Sequence, residues 1–255
     1  MTGVLPIMLG RATKIAQALM SAPKEYVCLM RLHANVPDDE LIKVLENFIG
    51  PIYQRPPLRS SVKRVVRIRR IYFIELLERD SKDVLLRIGC ERGTYIRKLC
   101  HDIGEILGCG AHMQELRRTK VGPFRDDETL VTLQDVMDAY RMWKEYGYDE
   151  CLRSIIVPVE RAVEHLPRLI IRDSAVDAIC HGAWLAVPGI LRIDSGIKIG
   201  DTVAIMTQKG ELVAIAEATM RSEEILTADH GIAAKPIRVL MPPGTYPPEW
   251  KKSKN

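Results

Sequence analysis

Residues 84–108, VLLRIGCERGTYIRKLCHDIGEILG, change their period halfway along. Val84 to Cys90 is a short apolar run of strand-forming composition. From Ile96 the apolar residues return at helical spacing, as Ile96, Leu99, Cys100, Ile103, Ile106 and Leu107, and Gly108 ends the stripe. Thr94 stands where an N-cap is expected. A strand that runs into a helix puts Tyr95 and Arg97 in the first helical turn, at the rim of a sheet, where a cleft can form.

Working outward, Val62 to Leu77 is also rich in Val and Ile, and Arg79-Asp80-Ser81-Lys82-Asp83 separates it from Val84, so the two runs predict a hairpin. Tyr26 to Leu32 predicts a buried strand, and residues 12–20 a helix that ends before Pro23. Pro37-Asp38-Asp39-Glu40 opens a further helix with acidic residues at the positive end of its dipole; Ile42, Leu45 and Ile49 are expected to line one face, and Gly50-Pro51 to stop it. A helix from Leu133 to Tyr146 follows the polar stretch Arg125 to Glu128. The composition shifts near His165-Leu166-Pro167. Beyond it come short strands, 169–171, 184–187, 189–193, 202–207, 212–218 and 237–241, with one helix at 174–181, a spacing that predicts a small barrel. The fold class expected is α+β: a mixed sheet with flanking helices, then a small all-β pseudobarrel.

Hydrophobic residues are 47% of the chain and charged ones 27%, a balance that excludes a disordered chain. No apolar run approaches the roughly 18 to 20 residues of a membrane span, so no membrane association and a cytoplasmic protein are expected. Cys28, Cys90, Cys100, Cys109, Cys151 and Cys180 form no CxxC pair and no zinc spacing with histidine; they read as small apolar fillers, and no metal is expected. HExxH, GxGxxG, GxSxG and P-loop patterns do not occur, which leaves metal, dinucleotide and serine-hydrolase chemistry without support.

Between Arg55 and Arg70 lie seven basic residues, Arg55, Arg59, Lys63, Arg64, Arg67, Arg69 and Arg70, and no acidic one. Such a one-signed segment suits phosphate binding, because each neutralised phosphate releases counterions; the alternative is a solvated strand face. Arg117-Arg118-Thr119-Lys120 forms a second basic cluster. Arg97 at a helix start could hold a carboxylate by two parallel hydrogen bonds, or simply be exposed. Tyr26 could stack on a nucleobase taken out of its helix, or only pack at the start of a strand. His181, at a helix end before Gly182, needs no ligand to explain it.

Taken together, the chain resembles the catalytic subunits of archaeal H/ACA guide-RNA pseudouridine synthases, kin of dyskerin and, more distantly, of bacterial tRNA pseudouridine synthases. The resemblance rests on Thr2-Gly3-Val4-Leu5-Pro6, Ala12-Thr13-Lys14, Lys24-Glu25-Tyr26, Gln54-Arg55-Pro56-Pro57, Gly93-Thr94-Tyr95-Ile96-Arg97 and Gln114-Glu115-Leu116-Arg117-Arg118. It continues through Asp173-Ser174-Ala175-Val176, Pro188-Gly189-Ile190, Asp229-His230-Gly231-Ile232-Ala233 and Tyr246-Pro247, in family order. It implies a pseudouridine synthase domain over 1–166, incomplete at its N-terminus, a PUA RNA-binding domain over 167–242 and a tail over 243–255. Implied roles are stacking on the target uracil for Tyr26, pocket lining for Tyr95, and pairing with the catalytic aspartate for Arg97.

The segment from Arg55, with Arg59, Lys63 and Arg64, would contact substrate RNA, while Gly182, Leu185 and Pro188 would read the ACA end of a guide RNA. The implied partners are guide RNA, substrate rRNA or tRNA and small ribonucleoprotein partner proteins; no cofactor is implied. The family carries its aspartate in a Gly-Thr-Leu-Asp-Pro stretch just ahead of the segment matching Thr2-Gly3-Val4, and no Thr-Leu-Asp-Pro occurs here. For these residues alone, RNA binding without catalysis is therefore expected. A stand-alone tRNA synthase is the remaining alternative, ranked last because the PUA sequence and Tyr246-Pro247 resemble the guide-dependent branch.

Overall fold

The computed structural model describes residues 1–56 and 63–248. In chain order the elements are β1 (Thr2–Gly3), α1 (Ala16–Ser21), β2 (Lys24–Leu32), α2 (Asp38–Asn47), β3 (Gly50–Gln54), β4 (Arg67–Asp80), β5 (Asp83–Cys90), α3 (Ile96–Ile106), β6 (Ala111–Val121) and β7 (Phe124–Arg125). There follow α4 (Leu133–Tyr146), α5 (Glu150–Ile155), β8 (Arg168–Ile171), α6 (Asp173–Cys180), β9 (Leu185–Ala186), β10 (Ile190–Ile193), β11 (Thr202–Met206), β12 (Leu212–Ala218), α7 (Ser222–Thr227) and β13 (Ile232–Val239). Two compact units result: Met1–Pro6 with Ser21–Thr132, and Ile7–Met20 with Leu133–Asn255.

In the first unit the strands run β1-β6-β2-β5-β4-β3, with β7 on β6. All neighbours are antiparallel except β1, which lies parallel to β6, so the sheet is mixed as expected. The hairpin β4–β5 turns through Ser81, whose φ of 52° is left-handed. Its core joins Cys28, Met30, Leu86 and Ile88 of the sheet to Ile96, Leu99, Cys100 and Ile103 of α3 and to Leu41, Val44 and Leu45 of α2. Burying each such side chain stabilises the fold by about 1.5–3 kcal/mol relative to leaving it exposed.

Four expectations shift here. On α2 the buried stripe is Leu41, Val44, Leu45 and Phe48, while Ile42 and Ile49 face water. The helix rotates by one residue because that phase buries four apolar side chains at helical spacing. Ile106 of α3 is likewise exposed, lying off the stripe that Ile103 and Leu107 continue. Thr94 is not the cap: Tyr95 takes the N-cap position, and the Thr94 hydroxyl donates to the Glu91 carbonyl at 2.7 Å, closing the turn before the helix. Residues 12–20 divide into a 3₁₀ turn, Gly10–Ile15, and the short α1.

The second unit holds a sheet ordered β10-β8-β11-β12-β13-β9, with β8 and β11 parallel and the rest antiparallel. Its core gathers Leu169, Ile171, Val203, Ile205, Val213 and Ala214 beneath Val176 and Ile179 of α6. The last strand starts at Ile232, earlier than the expected 237–241, and runs through Pro236. The register with β12 shifts beside that proline, which has no N–H for the ladder: Ile215 pairs with Arg238 and Ala216 with Pro236, so Ile237 of β13 is the extra residue.

Four of the six cysteines are buried fillers as expected, but Cys109 is half-buried and Cys151 is exposed. Cys28 and Cys100 touch, Sγ to Sγ 3.5 Å, and this contact with burial pushes the Cys100 thiol pKa up.

Candidate functional site

The candidate site of the first unit lies at the rim where β2 begins and β5 ends. Tyr26 of β2 stands opposite Ile88 of β5 and Arg118 of β6, and packs half-buried against the core. Burial raises its phenol pKa, and the charge of the nearby Arg118 opposes that rise. Lys24 comes two residues earlier, opposite Cys90 and Val121, and donates from Nζ to the Ala22 carbonyl at 2.7 Å. Burial first, then the charges of Arg118 and Arg92, lower its pKa. Burial also pushes the Cys90 thiol up to about 11, against a hydrogen bond with Thr94.

The turn that opens α3 is held by a buried amide. Gln54, only 2% exposed at the end of β3, accepts from the Tyr95 N–H at 2.9 Å and donates to the Tyr95 carbonyl at 3.2 Å. Both ends of the amide are satisfied by one residue's main chain, so burying it costs little and orients Tyr95. Arg97, in the first turn of α3, is exposed and makes no ion pair among the described residues.

Arg118 also fastens β1. Its carbonyl accepts from the Val4 N–H and its Nε donates to the Val4 carbonyl, both at 2.8 Å. Gly3 makes the approach possible: at φ 97°, a Cβ there would lie 2.1 Å from the Arg118 carbonyl oxygen. Gly3, Arg118 and Tyr26 therefore stand side by side across three strands.

The basic segment divides. Arg55, Lys63 and Arg64 are exposed, while Arg59 lies outside the described residues. Arg69 is instead enlisted in the structure, pairing with Glu91 at 3.7 Å, and Glu91 also accepts from the Arg70 N–H at 3.1 Å. The absence of acid within 55–70 conceals this carboxylate, which the β4–β5 pairing brings in from a distance.

In the second unit Gly182, at φ 89°, ends α6 and begins an exposed loop. Ala178, His181, Gly182 and Ala183 line a cleft of about 440 Å³. Asp177, 1% exposed, holds the neighbourhood: its carboxylate accepts from the Gly244 N–H at 2.9 Å and lies 3.4 Å from His181 Nδ1. Pro188 is exposed, its carbonyl accepting from Arg172 Nε at 3.0 Å. Leu185 is 1% exposed and belongs to the core, so only its backbone can meet a ligand. Of the three residues expected to meet RNA, Gly182 and Pro188 are exposed and the Leu185 side chain is turned inward.

Sequence reasoning missed Gln54, Lys24 and Arg118 as individual actors. Lys24's place beside Tyr26 was a usable signal, whereas Gln54 and Arg118 meet their partners only across the sheet. Among the described residues no group of three or more His, Cys, Asp or Glu could hold a metal ion, and no helix is long and apolar enough to cross a membrane.

Comparison with known proteins agrees along the chain. Residues 1–96 match the N-terminal domain of TruB family pseudouridylate synthases, 97–164 the tRNA pseudouridylate synthase B C-terminal domain, and 167–240 the PUA domain. A probable tRNA pseudouridine synthase B of Methanosarcina barkeri is 59% identical over 251 residues, covering 98% of this chain and 74% of the relative. Its counterpart in Methanopyrus kandleri is 60% identical over 249 residues, covering 98% and 73%. Among solved structures, one of a Cbf5-Nop10-Gar1 complex superposes with a TM-score of 0.93 at 57% identity, over 96% of this chain and 74% of that one. One of an H/ACA RNP bound to a substrate RNA containing 2′-deoxyuridine gives 0.90 at 54%, over 97% and 75%.

Proposed function

The chain belongs to the TruB family of pseudouridine synthases and carries a PUA domain, and on that premise we propose that it serves as the catalytic subunit of an H/ACA ribonucleoprotein, isomerising uridine to pseudouridine in rRNA or tRNA. The observation that carries this reading is the rim on which Tyr26, Arg118 and Gly3 align across β2, β6 and β1, beside the end of β5, from which the chain turns to Tyr95 and Arg97. In this reading 1–166 form the synthase domain, 167–242 the PUA domain and 243–255 a tail, and the protein works in the cytoplasm.

The reaction breaks the bond between uracil N1 and the ribose, turns the detached base, and joins its C5 to the same ribose carbon. Tyr26 offers a flat face against which the base is held while detached, which favours rejoining over escape. Tyr95 lines the pocket, its main chain held by Gln54. Arg97 grips a carboxylate by two charge-assisted hydrogen bonds, keeping it ionised and aimed at the sugar. The family carries that carboxylate just ahead of the segment matching Thr2, which β6 holds in register beside Tyr26. No cofactor takes part.

Guide selection is supported by the solved structures of H/ACA assemblies, whose small proteins and guide RNA we take as partners here. Arg55, Arg59, Lys63 and Arg64 contact substrate phosphates; Gly182, Pro188 and the backbone of Leu185 meet the ACA end of the guide. The names of the curated relatives favour a second reading, a stand-alone tRNA synthase.

Both readings are tested with a uridine-labelled target. The 255 residues by themselves bind RNA without isomerising it, since no Thr-Leu-Asp-Pro occurs among them; a chain extended by that motif ahead of Thr2 makes pseudouridine when guide and partner proteins are added. Pseudouridine from the unextended chain would show that another carboxylate serves. Turnover of tRNA without guide would favour the stand-alone reading.

A further inference from the structure

Trp184, just before β9, is 57% exposed, whereas its apolar neighbours Leu185 and Val187 are buried. An indole is the largest apolar side chain a fold can bury, so leaving it in water forfeits core stabilisation. Lys235 of β13 sets its Nζ 4.3 Å from the ring centroid. The pairing Leu185 with Ala234 brings the two side chains together. The ammonium stands over one face, and the residue remains more than half exposed. The indole is therefore held in place and still presents a flat surface outward.

Trp184 also follows directly on His181, Gly182 and Ala183, three of the residues that line the cleft at the end of α6. We propose that Trp184 and Lys235 form a nucleobase-stacking site on the second unit: a base of single-stranded RNA stacks on the open indole face, and Lys235 neutralises a neighbouring phosphate. This rests on the reading of that unit as RNA-binding and adds to it a stacking residue. Stacking suits the position because every base offers a π face, and a cation on the far side of the ring adds attraction for the backbone.

The test uses the full chain with Trp143→Phe and Trp250→Phe, which leaves Trp184 as its sole indole. Two probes are titrated, a guide-type hairpin RNA ending in ACA and an abasic version of the same 3′ end. The hairpin is expected to quench Trp184 emission saturably, and the abasic RNA to bind with little quenching. Against the unmodified chain, Trp184→Ala weakens hairpin binding by at least about fivefold and Trp184→Phe retains most of the affinity. Lys235→Met lowers the salt slope of binding by about 0.7. Thermal melts of each variant confirm the fold, which an exposed indole does not support. Equal affinity of Trp184→Ala and the unmodified chain, or equal quenching by abasic RNA, overturns the stacking site while the RNA-binding reading stands. No binding of either probe by the unmodified chain overturns both.

Discussion

The rim around Tyr26 and the loop from His181 to Trp184 hold their chemistry in opposite ways. At the rim, polar side chains are locked by partners that are themselves half or fully buried: Gln54 on Tyr95, Arg118 on Val4, Glu91 on Arg69. At the loop, the lining is alanine, glycine and one histidine, open to solvent. A group that must hold a detached base in one orientation gains from fixed, desolvated partners. A surface that takes up a strand of RNA needs reach and shape, which small residues allow.

Two glycines make the sharpest comparison. Gly3→Ala forces a methyl to within 2.1 Å of the Arg118 carbonyl oxygen at φ 97°, and should cost about 3 kcal/mol, read as a fall in the denaturant midpoint with loss of amide protection at Val4. Unchanged protection there would show that β1 is not clamped. Gln54→Ala comes next, at about 1–3 kcal/mol, because it removes the partner of the half-buried Tyr95 N–H, while the Tyr95 carbonyl keeps its bond from the Leu99 N–H. If the amide only fills space, Gln54→Leu will match the wild type in stability.

Gly182→Ala should cost only about 1 kcal/mol, the strain of a left-handed backbone, since nothing lies within 4 Å of the added methyl. A thermal melt that drops as far as for Gly3→Ala would erase the contrast between the regions. The smallest effect concerns acid. Hydrogen bonds from Arg117 hold the Asp126 carboxyl below its usual range in the first unit, and Arg168 does the same for Asp194 in the second. A carboxylate depressed in the folded state contributes stability above its unfolded pKa near 3.9, and that contribution fades as the pH falls through the lower folded value. Because both pairs are solvent-screened, Asp126→Asn and Asp194→Asn should each flatten the acid limb of a stability–pH profile slightly, and 0.5 M salt, a probe concentration on the order of several times physiological, should remove the difference. A large change in either would mean that its pair is desolvated.

Legibility in the sequence followed the strength of periodicity. α3 and the β4–β5 hairpin stand out because one face turned to the core imposes a repeat on each, α4 because its apolar residues keep a helical spacing although only Ala139 is buried, and β12 because every position but Glu217 is buried. β6 does not, although it lies between β1 and β2: its Gln114-Glu115 and Arg117-Arg118 pairs break any alternation. On α2 the pattern revealed the helix and misplaced its buried face by one residue, since Ile42 and Ile49 are as apolar as Leu41 and Val44. Leu185, expected to meet RNA, turned inward because alternation along β9 and the loop before it leaves Trp184 outside.

The amino-acid sequence by itself determined the two architectures, the position of Tyr95 and Arg97 at a helix start, and, through motifs in family order, membership of the pseudouridine synthases. These are properties of local spacing, which a chain carries before it folds. Only the tertiary structure decided that Gln54 holds Tyr95, that Arg118 joins Gly3 and Val4 to Tyr26, and that Glu91 claims Arg69. Those contacts close over tens of residues, and strand register, set by which faces are buried, selects them from the many pairings that composition allows.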